Sequence, residues 1–189
     1  MNTIVAATGN RHKVQEMQEI LAERGYNVVS AQEMGGMPDV VEDAGTFEGN
    51  ATKKALETAR FLNCTVLADD SGLEVLALNG EPGVYSARYA GEGGNDGRNL
   101  RKLLDKMKGV ADRRARFVCV IVVASSDGVI ATSRGEVYGR IALEAAGEGG
   151  FGYDPGFIPD GYDKTFGQLP PEVKNSLSHR ANALKALKL

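Results

Sequence analysis

Thr65-Val66-Leu67-Ala68-Asp69-Asp70-Ser71-Gly72-Leu73-Glu74-Val75 is the stretch on which the reading of this chain turns. It opens as a short apolar run, the pattern of a buried strand. Two adjacent carboxylates, a hydroxyl and a glycine follow at once, and a second β-like run, Leu73 to Leu78, comes after them. Gly72 predicts a turn or a close approach of the main chain. Carboxylates at the end of a buried strand can hold a hard cation through oxygen or take a proton from water. They can equally cap a loop. As neighbours, Asp69 and Asp70 point to opposite faces of a regular strand, so one carboxylate dominates any site unless the turn brings both in.

The bulk numbers set the frame. With 189 residues, 42% hydrophobic and 25% charged, the chain has the composition of one soluble globular domain, residues 1–189, with material for a real core. No apolar run reaches the roughly 18 residues of a membrane span, and the N-terminus shows no signal-peptide pattern. A net charge of −3 argues against a dedicated nucleic-acid binder, while leaving room for a local basic pocket. Cys64 and Cys119 follow no metal-ligand spacing and read as two reduced, buried core thiols, which points to a cytoplasmic setting.

Outward from the central stretch, Thr3 to Ala7 reads as a strand and Val14, Met17, Ile20 and Leu21 as a helical stripe ended by Gly25. Thr8-Gly9-Asn10-Arg11-His12-Lys13 is then a strand-to-helix turn with Asn10 as N-cap. Such a turn suits a phosphate, and Lys13 lies one turn in. It lacks the P-loop pattern, and a merely well-capped helix is the plain alternative. Tyr26 to Ser30 forms a second strand. Ala31 to Gly45 is irregular and carries the acidic pair Glu42-Asp43. A helix from Thr46 to about Leu62 follows, with Lys53 and Lys54 in its middle.

Beyond the central stretch, Asn95 or Asp96 caps a helix with the stripe Leu100, Leu103, Leu104 and Met107. Arg113 to Ala124 reads as a long strand, Asp127-Gly128 as a hairpin turn and Val129 to Val137 as the partner strand. Gly147 to Pro159 mixes glycines with Phe151, Tyr153 and Asp154, a composition able to stack a flat ring and read its edge. An aromatic-stapled loop is the plain alternative. Ser178 caps a last helix carrying Leu184 and Leu187. His179 and Arg180 sit in its first turn, where positive charge is unfavourable, so an anion or polar ligand is expected there.

Together these stretches resemble one family. Thr8-Gly9-Asn10-x-x-Lys13, Ala68-Asp69-Asp70-Ser71-Gly72-Leu73, Pro82-Gly83-Val84-Tyr85-Ser86-Ala87-Arg88, Gly149-Gly150-Phe151-Gly152-Tyr153-Asp154-Pro155 and Ser178-His179-Arg180 look like the motif set of the non-canonical purine nucleoside triphosphate pyrophosphatases. The motifs stand in order from residue 3 to about residue 187; each is weak alone, and five in sequence are specific. The resemblance implies an α/β fold, an elongated protein with a long twisted mixed sheet flanked by helices, and two lobes with a central cleft. It also implies a homodimer that hydrolyses ITP, dITP and XTP to the monophosphate and pyrophosphate with Mg²⁺, cleansing the nucleotide pool, with neither nucleic acid nor membrane as partner.

Position by position, the resemblance makes Thr8, Gly9, Asn10, Arg11, His12 and Lys13 the triphosphate turn. Asp70 becomes the proton acceptor and a metal ligand, Glu42 the second metal ligand, and Ser71 a substrate contact. Lys53 becomes the helix lysine that reaches the phosphates. Phe151, Gly152, Tyr153 and Asp154 become the nucleobase loop, and Lys174, His179 and Arg180 the remaining base contacts. Selectivity against adenine follows if donors face the C6 oxygen of hypoxanthine or xanthine, because adenine leaves them unpaired. Two other readings compete: a pyrophosphatase for another modified nucleotide, and a nucleotide-binding regulator without turnover.

Overall fold

The computed structural model describes residues 2–188. Six strands form one sheet in the order β2-β1-β3-β4-β5-β6. They are β1 (Asn2–Ala6), β2 (Tyr26–Ser30), β3 (Val66–Val75), β4 (Arg114–Ser125), β5 (Gly128–Ile141) and β6 (Phe157–Pro159). The helices are α1 (Arg11–Ala22), α2 (Phe47–Leu62), α3 (Asp96–Lys106), α4 (Pro171–Leu177) and α5 (His179–Ala186). β1 runs parallel to both β2 and β3, whereas β6 is antiparallel to β5, so the sheet is mixed and the fold is α/β as expected. Among the described residues, no helix is long and apolar enough to cross a membrane.

The chain divides into two compact units. One holds the N-terminal residues through Asp70, Cys119–Gly135 and the segment from His179 onward; the other holds Ser71–Val118 and Glu136–Ser178. The first is built on a core in which Met17, Ile20 and Leu21 of α1, Leu67 of β3, Cys119, Ile121 and Val123 of β4 and Ala181 and Leu184 of α5 are buried together. Gly135 fixes where α5 lies: a Cβ there would stand 2.2 Å from both the Ala183 nitrogen and the His179 oxygen. The helix main chain therefore packs directly on β5, an approach only glycine allows.

The second unit has its own core of Leu73, Leu103, Met107, Phe117, Ile141, Phe157 and Phe166. Phe117 meets Phe157 edge-on with ring centroids 4.7 Å apart, and Phe157 stacks on Phe166 at 5.5 Å. These are the favoured aromatic arrangements and help define a unique packing.

Of the turn or close approach expected at Gly72, the turn is not made: β3 runs unbroken from Val66 to Val75, and only Leu76–Leu78 leaves the strand, as a short 3-10 turn. The apolar flanks on both sides are buried, and the Leu73 N–H donates to Ser86 Oγ at 2.9 Å, so the extended path is satisfied where a turn was expected. Cys64 is a difference too: expected as a buried core thiol, it is half-buried near the end of α2, whereas Cys119 is buried. Pro170-Pro171 opens a seven-residue helix, with proline at a position where a missing N–H costs nothing.

Candidate functional site

In the first unit the charged side chains converge around the end of β1 and the middle of β3. Asn10 caps α1 and accepts from the His12 and Lys13 amides at 3.0 and 3.3 Å, and Thr8 Oγ1 accepts from the Asn10 amide at 3.1 Å. The turn is thus braced from within, with Gly9, Asn10, Arg11 and His12 exposed and Thr8 buried. Lys13 reaches back to Asp69, its Nζ 2.9 Å from Oδ2.

Asp69 and Asp70, on opposite sides of β3, have different partners. Asp69 is fully buried and also accepts from Arg180 Nη2 at 3.1 Å; Arg180 in turn donates to Glu16 of α1. Burial pushes the Asp69 carboxyl up, but the Lys13, Arg180 and Lys54 charges outweigh it and hold the group well below the usual carboxylate range. Asp70 accepts from Asn50 Nδ2 at 3.1 Å. Burial dominates there and, with Glu42 adding to it against Lys54, Lys13 and the Asn50 bond, lifts Asp70 to about 6.

Arg180, expected as a base contact, stands in a buried ion-pair network. The anion that answers a cation in the first turn of α5 is supplied by the chain itself, as Asp69 and Glu16, and Arg180 is only 1% exposed. It braces β3 against α1 from within the core. His179 is likewise buried, on the same turn.

Lys53, expected to reach the phosphates, pairs its Nζ with Asp43 at 2.8 Å; Lys53 is half-buried and Asp43 exposed. The next residue, Lys54, is buried, and its Nζ lies 2.6 Å from Glu42 Oε1. Burial opposes the Lys54 charge, but Asp69, Glu42 and Asp70 together raise its pKa. The sequence held the signal: Phe47, Asn50, Ala51, Lys54, Ala55 and Thr58 follow the helical spacing of one buried face, and Lys53 falls beside it. Asn50 belongs to the same overlooked face. Its Oδ1 accepts from the Ala44 amide at 3.0 Å while its amide donates to Asp70, so it ties the loop after Glu42 to the strand acid.

Glu42 and Asp70, the two acids expected as metal ligands, both act on Lys54. The Lys54 ammonium is bonded to Glu42 and feels the field of Asp70, as a cation between two hard oxygen donors does. Among the described residues no group of three or more His, Cys, Asp or Glu could hold a metal. Carboxylate oxygens are the hard donors that Mg²⁺ takes, together with waters and substrate phosphates.

In the second unit the residues expected to meet the base lie close to one another. Asp154 Oδ2 accepts the Phe151 amide at 2.9 Å and pairs with Lys174 Nζ at 2.6 Å. The carboxylate fits because Gly150 has no Cβ; one would lie 2.1 Å from that oxygen. Lys174 Nζ stands 4.6 Å from the centroid of the Phe151 ring, so three of the expected contacts form one cluster. Tyr153 is buried and its hydroxyl donates to the Ser86 carbonyl at 2.7 Å. Ser71, next to Asp70 along β3, is half-buried.

Known proteins resemble this chain over almost its whole length. The Ham1 family model matches residues 4–189. The chain is 50% identical over 185 residues to the dITP/XTP pyrophosphatase of Desulfotalea psychrophila, which covers 98% of this chain and 83% of that protein. It is 53% identical over 184 residues to the dITP/XTP pyrophosphatase of Desulforamulus reducens, covering 96% and 92%. Among solved structures, the Staphylococcus aureus Ham1 protein is 48% identical with a TM-score of 0.85, covering 97% of this chain and 95% of that one. A HAM1 protein from Coxiella burnetii is 38% identical with a TM-score of 0.87, covering 98% and 95%. With a family match over almost its whole length and relatives at half identity, this chain belongs to the Ham1 family.

Proposed function

We propose that the protein hydrolyses non-canonical purine nucleoside triphosphates, ITP, dITP and XTP, to the monophosphate and pyrophosphate in the presence of Mg²⁺. The observation that carries this reading is the division of labour on β3. Asp69 is held as an anion by buried cations, while burial lifts Asp70 to about 6, near the working range of a general base. The names of the relatives supply the substrate class.

Asp70 accepts the proton of a water whose oxygen bonds to the α-phosphorus, and the bond from that phosphorus to the bridging oxygen breaks to release pyrophosphate. Asn50 fixes one oxygen of the Asp70 carboxylate. Lys13 and Lys54 supply positive charge beside the strand acids, and preorganised charge of this kind lowers the barrier to phosphoryl transfer. Glu42 and Asp70 would hold Mg²⁺, which would supply charge to neutralise phosphate oxygens. Phe151 offers a face for the base, with Lys174 and Asp154 fixing its surroundings. The reading includes a homodimer, carried over from the resemblance, and a cytoplasmic setting, taken from the unpaired cysteines; sedimentation of the full chain checks the first.

The test is pyrophosphate release with Mg²⁺ from ITP, XTP, dITP, ATP and GTP, with Asp70→Asn alongside. Fast release from the first three and loss in the variant is the expected outcome. Equal turnover of all five removes the selectivity, and no release from any of them removes the reading.

A further inference from the structure

The geometry points to Asp96, in the first turn of α3, as a positioning residue that sets the nucleobase loop and through it the affinity for the base. This deepens the proposed function and rests on it. Asp96 stands where an acid is ordinarily a helix cap, yet that task is already filled: Asn95 Oδ1 accepts the Arg98 amide at 2.8 Å. The Asp96 carboxylate instead accepts the Gly152 amide at 2.9 Å, across 56 residues of sequence.

That amide is half of a rigid unit. The peptide group joining Phe151 to Gly152 is planar, so hydrogen bonds at its two ends fix its orientation. Its N–H donates to Asp96, and its C=O, that of Phe151, accepts the Asp154 amide at 3.2 Å. The Phe151 amide on the other side of the same residue donates to Asp154 Oδ2 at 2.9 Å. The peptide planes before and after Phe151 are therefore both pinned, and with them the direction in which its ring leaves the main chain.

α3 holds the loop by a second route. Asn99, one turn after Asp96 and buried, accepts the Ala90 amide at 2.7 Å and donates to the Ser86 and Ala87 carbonyls at 3.3 and 3.0 Å. The Ser86 carbonyl also accepts the Tyr153 hydroxyl at 2.7 Å. One polar edge of α3 thus fastens Gly152 directly and Tyr153 through Ser86. The Phe151 and Gly152 amides both donate to the chain's own carboxylates, so they frame the base loop while its ring supplies the contact.

The test compares wild type, Asp96→Ala and Asp96→Asn with ITP and XTP, together with amide hydrogen exchange at Gly152. The amide of Asn can still accept from Gly152, whereas Ala cannot. Asp96→Ala is expected to raise KM about 5- to 10-fold, the size of one hydrogen bond, with kcat within about twofold of wild type and faster exchange at Gly152. Asp96→Asn is expected to bring KM and exchange back to within about twofold. A merely helix-stabilising acid gives the opposite pattern: both variants melt at lower temperature and neither changes KM, which overturns the inference. Wild type that releases no pyrophosphate sinks the proposed function and this inference with it; wild-type turnover with KM unaffected in Asp96→Ala sinks only the inference.

Discussion

Asp69 and Asp70 are consecutive residues of one strand with opposite electrostatic settings. Asp69 Oδ2 lies 2.9 Å from Lys13 and 3.1 Å from Arg180, whereas Asp70 Oδ2 accepts a neutral amide from Asn50 at 3.1 Å. The pleat that sends them to opposite faces separates a structural anion from a group able to take a proton. Asp70→Asn is therefore expected to lower kcat by about 10²- to 10⁴-fold, the span typical of a lost general base. In the wild type, kcat/KM should fall as the pH drops through about 6, where Asp70 gains its proton. A flat profile between pH 5 and 8 would remove Asp70 from the role of base.

The same shift has a consequence for stability. The folded Asp70 carboxyl titrates near 6, above its ordinary 3.8, so the folded state binds that proton more tightly than the unfolded chain does. Its favourable contribution is complete below the ordinary value and disappears as the pH rises through about 6. At pH 8 and without Mg²⁺, an ionised Asp70 is a burden on the fold. Asp70→Asn should then raise the unfolding free energy by on the order of 2 kcal/mol at pH 8, and the gain should shrink toward zero below pH 4. Urea denaturation at the two pH values checks it, and a gain that grows on acidification contradicts the argument.

Lys53 and Lys54 differ by one position and by about 100° around α2. Lys53 meets an exposed acid, where an ion pair contributes little. Lys54 is buried between Glu42 and the β3 acids. Lys54→Met is expected to lower kcat/KM at least about 100-fold, in line with loss of a preorganised charge at the reacting phosphates. Lys53→Met should stay within about threefold of wild type. Steady-state kinetics on ITP decide between them; the reverse ranking restores Lys53 as the phosphate lysine.

Much of this arrangement was legible in the chain. The apolar stripe of α1, the Asn10 cap and the strand character of Val66 to Ala68 follow from local periodicity, and each stands in the fold. What local pattern missed was decided by partners distant in sequence. Gly72 stays extended because β3 is buried to its far end and Ser86 takes the Leu73 amide, a contact no window around residue 72 contains. Arg180 read as a ligand group because its counter-ions, Asp69 and Glu16, lie 111 and 164 residues away. Lys54 is the instructive miss, because the same helical spacing that placed Ala51 and Ala55 also placed Lys54 on the buried face.

Arg180 gives the last prediction. It is almost wholly buried and bonds at once to Glu16 of α1 and Asp69 of β3. Removing one member of a buried charge network leaves the others without compensation and costs about 3–5 kcal/mol, far more than a surface pair. Arg180→Met should lose stability of that order, because Glu16 then loses its guanidinium and Asp69 is left with the Lys13 ion pair and the field of Lys54. Arg180→Lys supplies one charge but not the planar fork that bridges two carboxylates, so an intermediate loss is expected. If Arg180 serves the core and not the base, the folded fraction of Arg180→Lys should bind ITP with a KM within about threefold of wild type. Urea midpoints and KM measured on the same preparation separate the two roles: a stable Arg180→Lys protein with a strongly raised KM would return Arg180 to the base pocket.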